Sequence, residues 1–141
     1  MRRFEETIVQ DYEVDSLGHM NVHFHEMRAH EAAVTLLKGF GVDAERIAAQ
    51  GGKLTHDDMF NRYHREQFSG ARLAVQGGVA DANEDGVKLY LEVLNTEKDE
   101  IASTFIWGYQ QINARTRAPI HLQPETVAAC KAARIEIPAH G

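Results

Sequence analysis

The segment Asp15-Ser16-Leu17-Gly18-His19-Met20-Asn21 joins two stretches of the chain with different hydrophobic periods. Residues 4–10 before it alternate and are rich in β-formers toward their end, which predicts a first strand. Residues 21–38 after it place apolar side chains around much of a helical circumference, with Asn21 as a good N-cap and Gly39 as a stop signal. The segment is therefore predicted to be a loop that runs from a strand into a long, buried helix.

Downstream of this helix the sequence predicts a short helix and then a change to a period of two. The predicted elements are a helix at Asp43–Ala49, strands at Thr55–Glu66, Arg72–Asp81, Val87–Asn95 and Ile101–Asn113, a loop at Ala114–Pro119 and a last helix from Pro124 to about Ala133. Short turns between the strands predict that consecutive strands are antiparallel neighbours. We therefore expect an α+β domain in which a curved antiparallel sheet wraps one apolar helix. The alternation in residues 87–93 predicts one buried face and one face that is wet or covered by a partner.

The composition of the 141-residue chain is that of an ordinary globular protein, with 43% hydrophobic and 26% charged residues. This length predicts one domain, residues 1–141. Its apolar runs are far shorter than the roughly 20 residues that cross a bilayer, and residues 1–6 lead into no signal-peptide core, so we expect neither membrane insertion nor export. The net charge is −6 and the 15 basic residues are scattered, which disfavours a nucleic-acid partner. A single cysteine, Cys130, suits a reducing cytoplasm.

Two short motifs carry a resemblance to a known family. The first reads D-x-x-G-H-[VM]-N before the long helix, and the second reads Y-x-R-E-x-x-x-G near a central strand. The residues that carry them are Asp15, Gly18, His19, Met20 and Asn21, followed by Tyr63, Arg65, Glu66 and Gly70. In motif and element order the chain resembles the 4-hydroxybenzoyl-CoA thioesterase-like branch of the hot-dog superfamily. The resemblance implies a hot-dog fold, hydrolysis of an acyl-CoA thioester to free acid and CoA, no cofactor beyond the CoA of the substrate, and a homodimer or homotetramer.

The loop-to-helix junction suits this chemistry on physical grounds. Thioester hydrolysis needs a nucleophile or a base for water, and donors for the oxyanion that forms on the carbonyl oxygen. The helix start near Asn21 offers unpaired backbone N–H groups, and Asp15 lies on the loop that enters it. The resemblance gives Asp15 the role of nucleophile or general base; the alternative is a turn or capping residue. His19 either orients water and relays a proton or fixes the loop, and Asn21 either takes part in the reaction or caps the helix.

Further residues are assigned to the site by their position relative to the motifs. Glu31 aligns with an acidic residue of the resembled family and is a catalytic candidate, with solvent exposure as the alternative. His25 stands where that family usually has tyrosine, which implies a more polar acyl pocket. The residues expected to contact substrate are Gly18, Met20, Val22, His23, His25, Tyr63 and Arg65. Arg115 and Arg117 are candidates for binding the CoA phosphates, and a solvated loop is the alternative.

Three other functional interpretations compete with this one. The cluster His19, His23, His25 and His30 suggests a metal site, but its spacing matches no known ligand set, so no metal is predicted. The hot-dog fold also carries hydratases and dehydratases, which use a histidine and an acidic residue. A non-catalytic acyl-CoA-binding module is the third. Replacement of Asp15 separates a catalyst from a binding module.

Overall fold

The computed structural model describes all residues from 1 to 141 and shows a sheet with helices packed against it. The strands are β1 (Arg2–Arg3), β2 (Thr7–Ile8), β3 (Gly52–Tyr63), β4 (Arg72–Asn83), β5 (Gly86–Asn95), β6 (Glu100–Asn113) and β7 (Pro119–Ile120). The helices are α1 (Val22–Gly39), α2 (Ala44–Ala49) and α3 (Pro124–Ala132), with a 3-10 turn at Asp11–Glu13. The predicted α+β class with an antiparallel sheet is confirmed. No helix has the length and apolar character that a membrane crossing requires.

The order of strands in the sheet is β1-β4-β5-β6-β3, with β2 also beside β4 and β7 beside β6. The predicted pairing of consecutive strands is confirmed for β4, β5 and β6 and is wrong for β3 and β4. β3 pairs instead with β6, from Gly52 opposite Asn113 to Tyr63 opposite Ser103. The reason is the connection at residues 64–71, which exceeds the roughly two to five residues of a hairpin loop and crosses the end of the sheet. The backbone N–H groups of His64 and Arg65 both donate to the Ala102 carbonyl during this crossing.

Helix α1 packs one face against the sheet. Its buried residues include Ala29, Ala32, Ala33, Leu36 and Leu37, and they belong to one core cluster with inward-facing sheet residues such as Leu91 and Phe105. Small alanine side chains allow the helix to approach the strands closely. Met27 and Glu31 are exposed on the opposite side of the helix. The prediction that the helix is buried around much of its circumference is therefore wrong. The helix has the single apolar stripe of an ordinary amphipathic helix.

The outer face of the sheet, which points away from α1, is also covered along β5. Tyr90 and Glu92 were expected to face water or a partner, yet both are buried. Residues 134–141 cover them: the Ile135 N–H donates to the Val79 carbonyl at 2.8 Å, and His140 Nε2 lies 2.6 Å from Glu92 Oε2. The cover is therefore provided by this chain itself.

The boundaries of three predicted elements differ from the structure. Within the strand predicted at residues 4–10 only β2 forms, and another short strand, β1, precedes it. The backbone leaves β4 between them, after the Phe4 N–H donates to the Val75 carbonyl. β3 ends at Tyr63, so Arg65 and Glu66 lie in the crossover. β7 begins at Pro119, the last residue of the predicted loop, and pairs with β6. These differences place the second motif on a loop beside the first.

Candidate active site

The loop before α1 is a tight turn closed by its own backbone and by Asp15. The Asp15 N–H donates to the His19 carbonyl at 2.9 Å, and Val14 bridges Met20. Gly18 has φ +85°, a left-handed conformation that a residue with a Cβ rarely adopts. Asp15 Oδ1 accepts from the N–H groups of Leu17 at 2.9 Å and His19 at 3.3 Å. The turn-forming alternative for Asp15 therefore holds, and Asp15 Oδ2 stays without a hydrogen bond to the protein.

The first backbone donor of α1 is free. Asn21 Oδ1 accepts from the His23 N–H at 2.9 Å, which is the predicted N-cap bond, and the Phe24 N–H donates to the Asn21 carbonyl. The N–H of Val22 has no partner, as expected for the first residue of a helix. The positive end of the helix dipole adds to its suitability for a developing negative charge.

Glu13 and Arg28 hold this loop on the helix. Two nitrogens of Arg28 meet the two carboxylate oxygens of Glu13, at 2.6 and 3.1 Å, and the Glu13 carbonyl accepts from the Asn21 N–H. Burial opposes ionisation of Glu13, but hydrogen bonds from Arg28 and Gln10, with the charge of Arg28, hold its pKa below the ordinary value. Sequence reasoning missed this pair because no spacing rule links a loop glutamate to an arginine of the following helix.

A cavity of about 720 Å³ opens between this loop, the first turn of α1 and the crossover after β3. Its ten lining residues are Asp15, His19, Met20, Asn21, Val22, His25, Tyr63, His64, Arg65 and Glu66. The structure thus brings together eight of the thirteen predicted site residues and adds His64 and Glu66. Glu66 had a sequence signal, as part of the second motif. His64 had none.

His19 forms the contact between the two motifs. Its Nε2 lies 3.1 Å from Glu66 Oε2, and its ring packs edge-on against Phe68 with centroids 5.3 Å apart. A carboxylate bound at Nε2 favours the tautomer with the proton on that nitrogen, which leaves Nδ1 as an acceptor. His19 is thereby oriented as a base or water ligand.

The deep wall of the cavity is polar. His25 is 3% exposed, and its Nδ1 lies 2.9 Å from Ser103 Oγ. Burial and the nearby charge of Arg28 lower the pKa of His25 to about 4, so the ring is neutral at neutral pH. Beside it, the Tyr63 hydroxyl donates to Glu26 Oε1 at 2.7 Å, and both burial and this bond raise the pKa of Tyr63. That this polar wall belongs to an acyl pocket stays a prediction.

Five of the predicted site residues lie outside the cavity. Glu31 is exposed on another side of α1, because six residues of helix place it about 120° around the helix axis from His25. His23 is exposed and packs on Phe24, and Gly18 shapes the turn without lining the cavity. Arg115 and Arg117 follow β6 at the Gly52 end of β3, roughly 35 Å of strand away from Tyr63.

The four clustered histidines do not converge on one point. His19 contacts Glu66 and His25 contacts Ser103, while His23 and His30 are exposed on the helix surface. Spacing of four and seven along the sequence suggested one face, but His19 precedes the helix and follows the path of the loop. The four imidazole rings therefore do not share a common set of neighbours.

Known proteins share both the sequence family and the fold of this chain. The model of the thioesterase-like superfamily matches residues 9–130, and no curated protein matches the sequence. A 1,4-dihydroxy-2-naphthoyl-CoA thioesterase from Synechocystis is similar with TM-score 0.78 at 16% identity, covering 92% of this chain and 98% of that one. A Staphylococcus aureus protein in complex with CoA gives TM-score 0.81 at 16% identity, covering 95% and 86%. The 12:0-ACP thioesterase from Umbellularia californica gives 0.79 at 15% identity, covering 96% and 55%.

The family match covers most of the chain, including both motifs and the whole of α1. The solved structures share the fold over nearly all of it. The resemblance expected from the motifs is confirmed. This chain belongs to the thioesterase-like superfamily and is a thioester hydrolase with the hot-dog fold.

Proposed function

We propose that the protein hydrolyses an acyl-CoA thioester to the free acid and CoA, with Asp15 as nucleophile or general base. One observation carries the proposal: the free Oδ2 of Asp15 and the unpaired N–H of Val22 belong to residues that line the same cavity. A carboxylate and an oxyanion donor at one helix start are the two groups that acyl transfer requires.

The reaction can follow two routes from this arrangement. In the first, Asp15 Oδ2 attacks the thioester carbonyl carbon, the C–S bond breaks to release the CoA thiolate, and water then hydrolyses the acyl-aspartyl anhydride. In the second, Asp15 takes a proton from water, whose oxygen attacks the same carbon; the C–S bond then breaks, the acid is formed and the CoA thiolate leaves. Both routes place negative charge on the carbonyl oxygen, where the Val22 N–H donates. His19, oriented by Glu66, holds the water or carries its proton.

Binding of the CoA moiety is assigned to the basic residues of the crossover. Arg65 and His64 line the cavity, and Arg62 precedes them on β3. Guanidinium groups suit the phosphates of CoA because they bind phosphate oxygens in a bidentate manner. The CoA complex of the structurally similar Staphylococcus aureus protein supports a CoA thioester as the ligand. No further cofactor enters the proposal.

A homodimer is proposed from the free edge of β3. β3 pairs only with β6, so its other edge is free. On this strand Met59 is 46% and Phe60 is 52% exposed. Long apolar edge strands are normally covered in native proteins, and a second copy is a suitable cover. Antiparallel pairing of two β3 strands would place the Gly52 end of one copy beside the Tyr63 end of the other. Arg115 and Arg117 would then reach the CoA phosphates in the partner's site.

The dimer is tested by placing charges on this edge. Met59→Lys combined with Phe60→Lys should convert the protein to a monomer in sedimentation velocity and lower its hydrolytic activity. Met27→Lys is the matched control, because Met27 is a similarly exposed apolar residue on α1. A variant at residues 59 and 60 that keeps the dimer mass would contradict this mode of pairing.

The role of Asp15 is tested by Asp15→Asn. The amide oxygen can still accept from Leu17 and His19, so the turn should persist while the charge and the nucleophile are lost. We expect kcat to fall by at least about a hundredfold, with binding of acyl-CoA retained in calorimetry. Asp43→Asn, at the cap of α2, is the matched control.

Unchanged turnover in Asp15→Asn would refute the assignment. Retained acyl-CoA binding by a wild-type protein that hydrolyses nothing would favour the binding-module alternative. Hydration of an enoyl-CoA would favour the hydratase alternative. Localisation in a reducing cytoplasm stays a prediction from the sequence.

A further inference from the structure

A buried salt bridge lies beneath the loop that carries Asp15, outside the cavity. Arg28 Nη1 lies 2.6 Å from Glu13 Oε2 and Arg28 Nη2 lies 3.1 Å from Glu13 Oε1, with side chains only 11% and 6% exposed. Neither residue lines the cavity. The desolvation of two charges offsets much of the attraction within a buried pair, so such a pair adds little net stability. Its other hydrogen bonds show which parts of the chain it joins.

Glu13 joins the two ends of the loop. Its carbonyl accepts from the Asn21 N–H at 2.9 Å. Its carboxylate accepts from the Gln10 N–H at 2.8 Å, which fixes the approach to the loop. Asp15 lies two residues after Glu13, and Val22 follows Asn21 directly. The position of the reacting carboxylate relative to the oxyanion donor therefore depends on Glu13.

Arg28 fixes Glu13 to the helix and to the sheet. Its Nε donates to Thr7 Oγ1 at 2.9 Å, and its Nη1 donates to the Phe24 carbonyl at 3.3 Å and contacts Met20 Sδ at 3.4 Å. Thr7 belongs to β2, Phe24 to the first turn of α1, and Met20 lines the cavity. A guanidinium is a rigid planar fork, so this one side chain holds the strand, the loop and the helix in a fixed arrangement.

We propose that Glu13 and Arg28 are positioning residues for the hydrolysis, which fix the Asp15 carboxylate relative to the Val22 N–H. This inference rests on the proposed function, because it takes Asp15 as the reacting carboxylate and Val22 as the oxyanion donor. Reaction rates depend steeply on such geometry, since a displacement of about 1 Å can cost about a hundredfold. Because neither residue of the pair lines the cavity, their loss should lower kcat and leave KM nearly unchanged.

The double variant Glu13→Gln with Arg28→Met tests this role. Each single variant leaves one buried charge without its partner and should unfold at a lower temperature, whereas the double variant removes both charges and should recover much of that loss. Hydrolysis is measured on butyryl-, octanoyl-, palmitoyl- and benzoyl-CoA. For the thioester that the wild type hydrolyses fastest, we expect kcat of the double variant to fall by at least about tenfold, with KM changed by less than about threefold. A role in stability alone predicts that kcat recovers together with the melting temperature.

Glu6→Gln with Arg72→Met is the matched control. These residues form an ion pair at 3.6 Å, with side chains 40% and 56% exposed, and neither lines the cavity. Removing this pair should leave both kcat and KM unchanged, because exposed ion pairs contribute little.

Arg28→Lys separates charge from geometry and decides the question if the double variant does not fold. Lysine keeps a charge beside Glu13 but lacks the planar fork that also reaches Thr7. Its kcat should therefore fall, while its melting temperature stays above that of Arg28→Met. In that case a kcat within about twofold of the wild type would contradict the positioning role.

A coupling measurement links the pair to Asp15. In an Asp15→Asn background the carboxylate to be positioned is absent, so Glu13→Gln with Arg28→Met should lower kcat by less than about threefold more. A further loss as large as in the wild-type background, or a folded double variant with kcat within about twofold of the wild type, would overturn the proposal while leaving the proposed function intact. Unchanged turnover in Asp15→Asn, or hydrolysis of none of the four thioesters nor of any other acyl-CoA, would overturn the proposed function and this inference with it.

Discussion

Two buried polar clusters lie on opposite faces of the same sheet, and they differ in how their hydrogen bonds are completed. On the outer face, the Glu92 carboxylate accepts from Gln76 at 2.7 Å and Tyr90 at 3.0 Å and contacts His140 at 2.6 Å. On the inner face, His25 has one protein partner and an open second nitrogen. The outer cluster is complete within the chain, and the inner one leaves Nε2 of His25 open to the cavity. The comparison distinguishes polar groups that are satisfied by the fold from one that the fold leaves open.

Glu92→Ala should have the largest effect on the free energy of unfolding. Removing a 1% exposed carboxylate leaves Gln76, Tyr90 and His140 without their acceptor and opens a cavity, so we expect a loss of about 3 kcal/mol in the free energy of unfolding. Chemical denaturation measures this loss. Glu97→Ala, an exposed glutamate after the same strand, is the control.

A loss below about 1 kcal/mol in Glu92→Ala would remove the distinction between the two clusters.

The pH dependence of stability should show a smaller effect, from His25. Its folded pKa of about 4 is below the ordinary 6.5, so between these values the unfolded chain binds more protons and stability falls as the pH falls. Stability is fully present above about pH 6.5, and the slope approaches about 1.4 kcal/mol per pH unit at most in this window. The slope is measured from the free energies of unfolding at pH 4.5, 5.5 and 7, in buffers of roughly equal ionic strength.

His25→Gln should reduce that slope, while His121→Gln, at an exposed histidine, should leave it unchanged. Burial also lowers the pKa of His56 and His64, so part of the slope will remain in the His25 variant. An identical slope in the wild type and His25→Gln would contradict the buried, neutral ring.

Much of the fold was predictable because its signals are local. The alternation in β5, the turn at Asp85-Gly86 and the cap at Asn21 each depend on a few neighbouring residues. The pairing of β3 with β6 was missed because it is decided by the crossover at residues 64–71, whose path depends on backbone bonds to Ala102. The cover on the outer face was missed for a similar reason, since residues 134–141 have no regular pattern.

The candidate site was predictable where a motif supplied it. Asp15, His19 and Asn21 were identified through the first motif and line the cavity together. Glu31 was assigned from alignment with a family position, without regard to the helical face on which it falls. The pair of Glu13 and Arg28 has no local signal, because it is formed by the return of the loop onto α1. Contacts between distant residues were the part that sequence alone did not reveal.

The crossover at residues 64–71 also determines when the cavity can form during folding. Its two walls come from the start of α1 and from the end of β3. The only strand that pairs with β3 is β6, which is made much later in synthesis. Contacts of long sequence separation form slowly because a large loop must close first. The cavity is therefore expected to be complete only after the chain through Asn113 has been made and has paired.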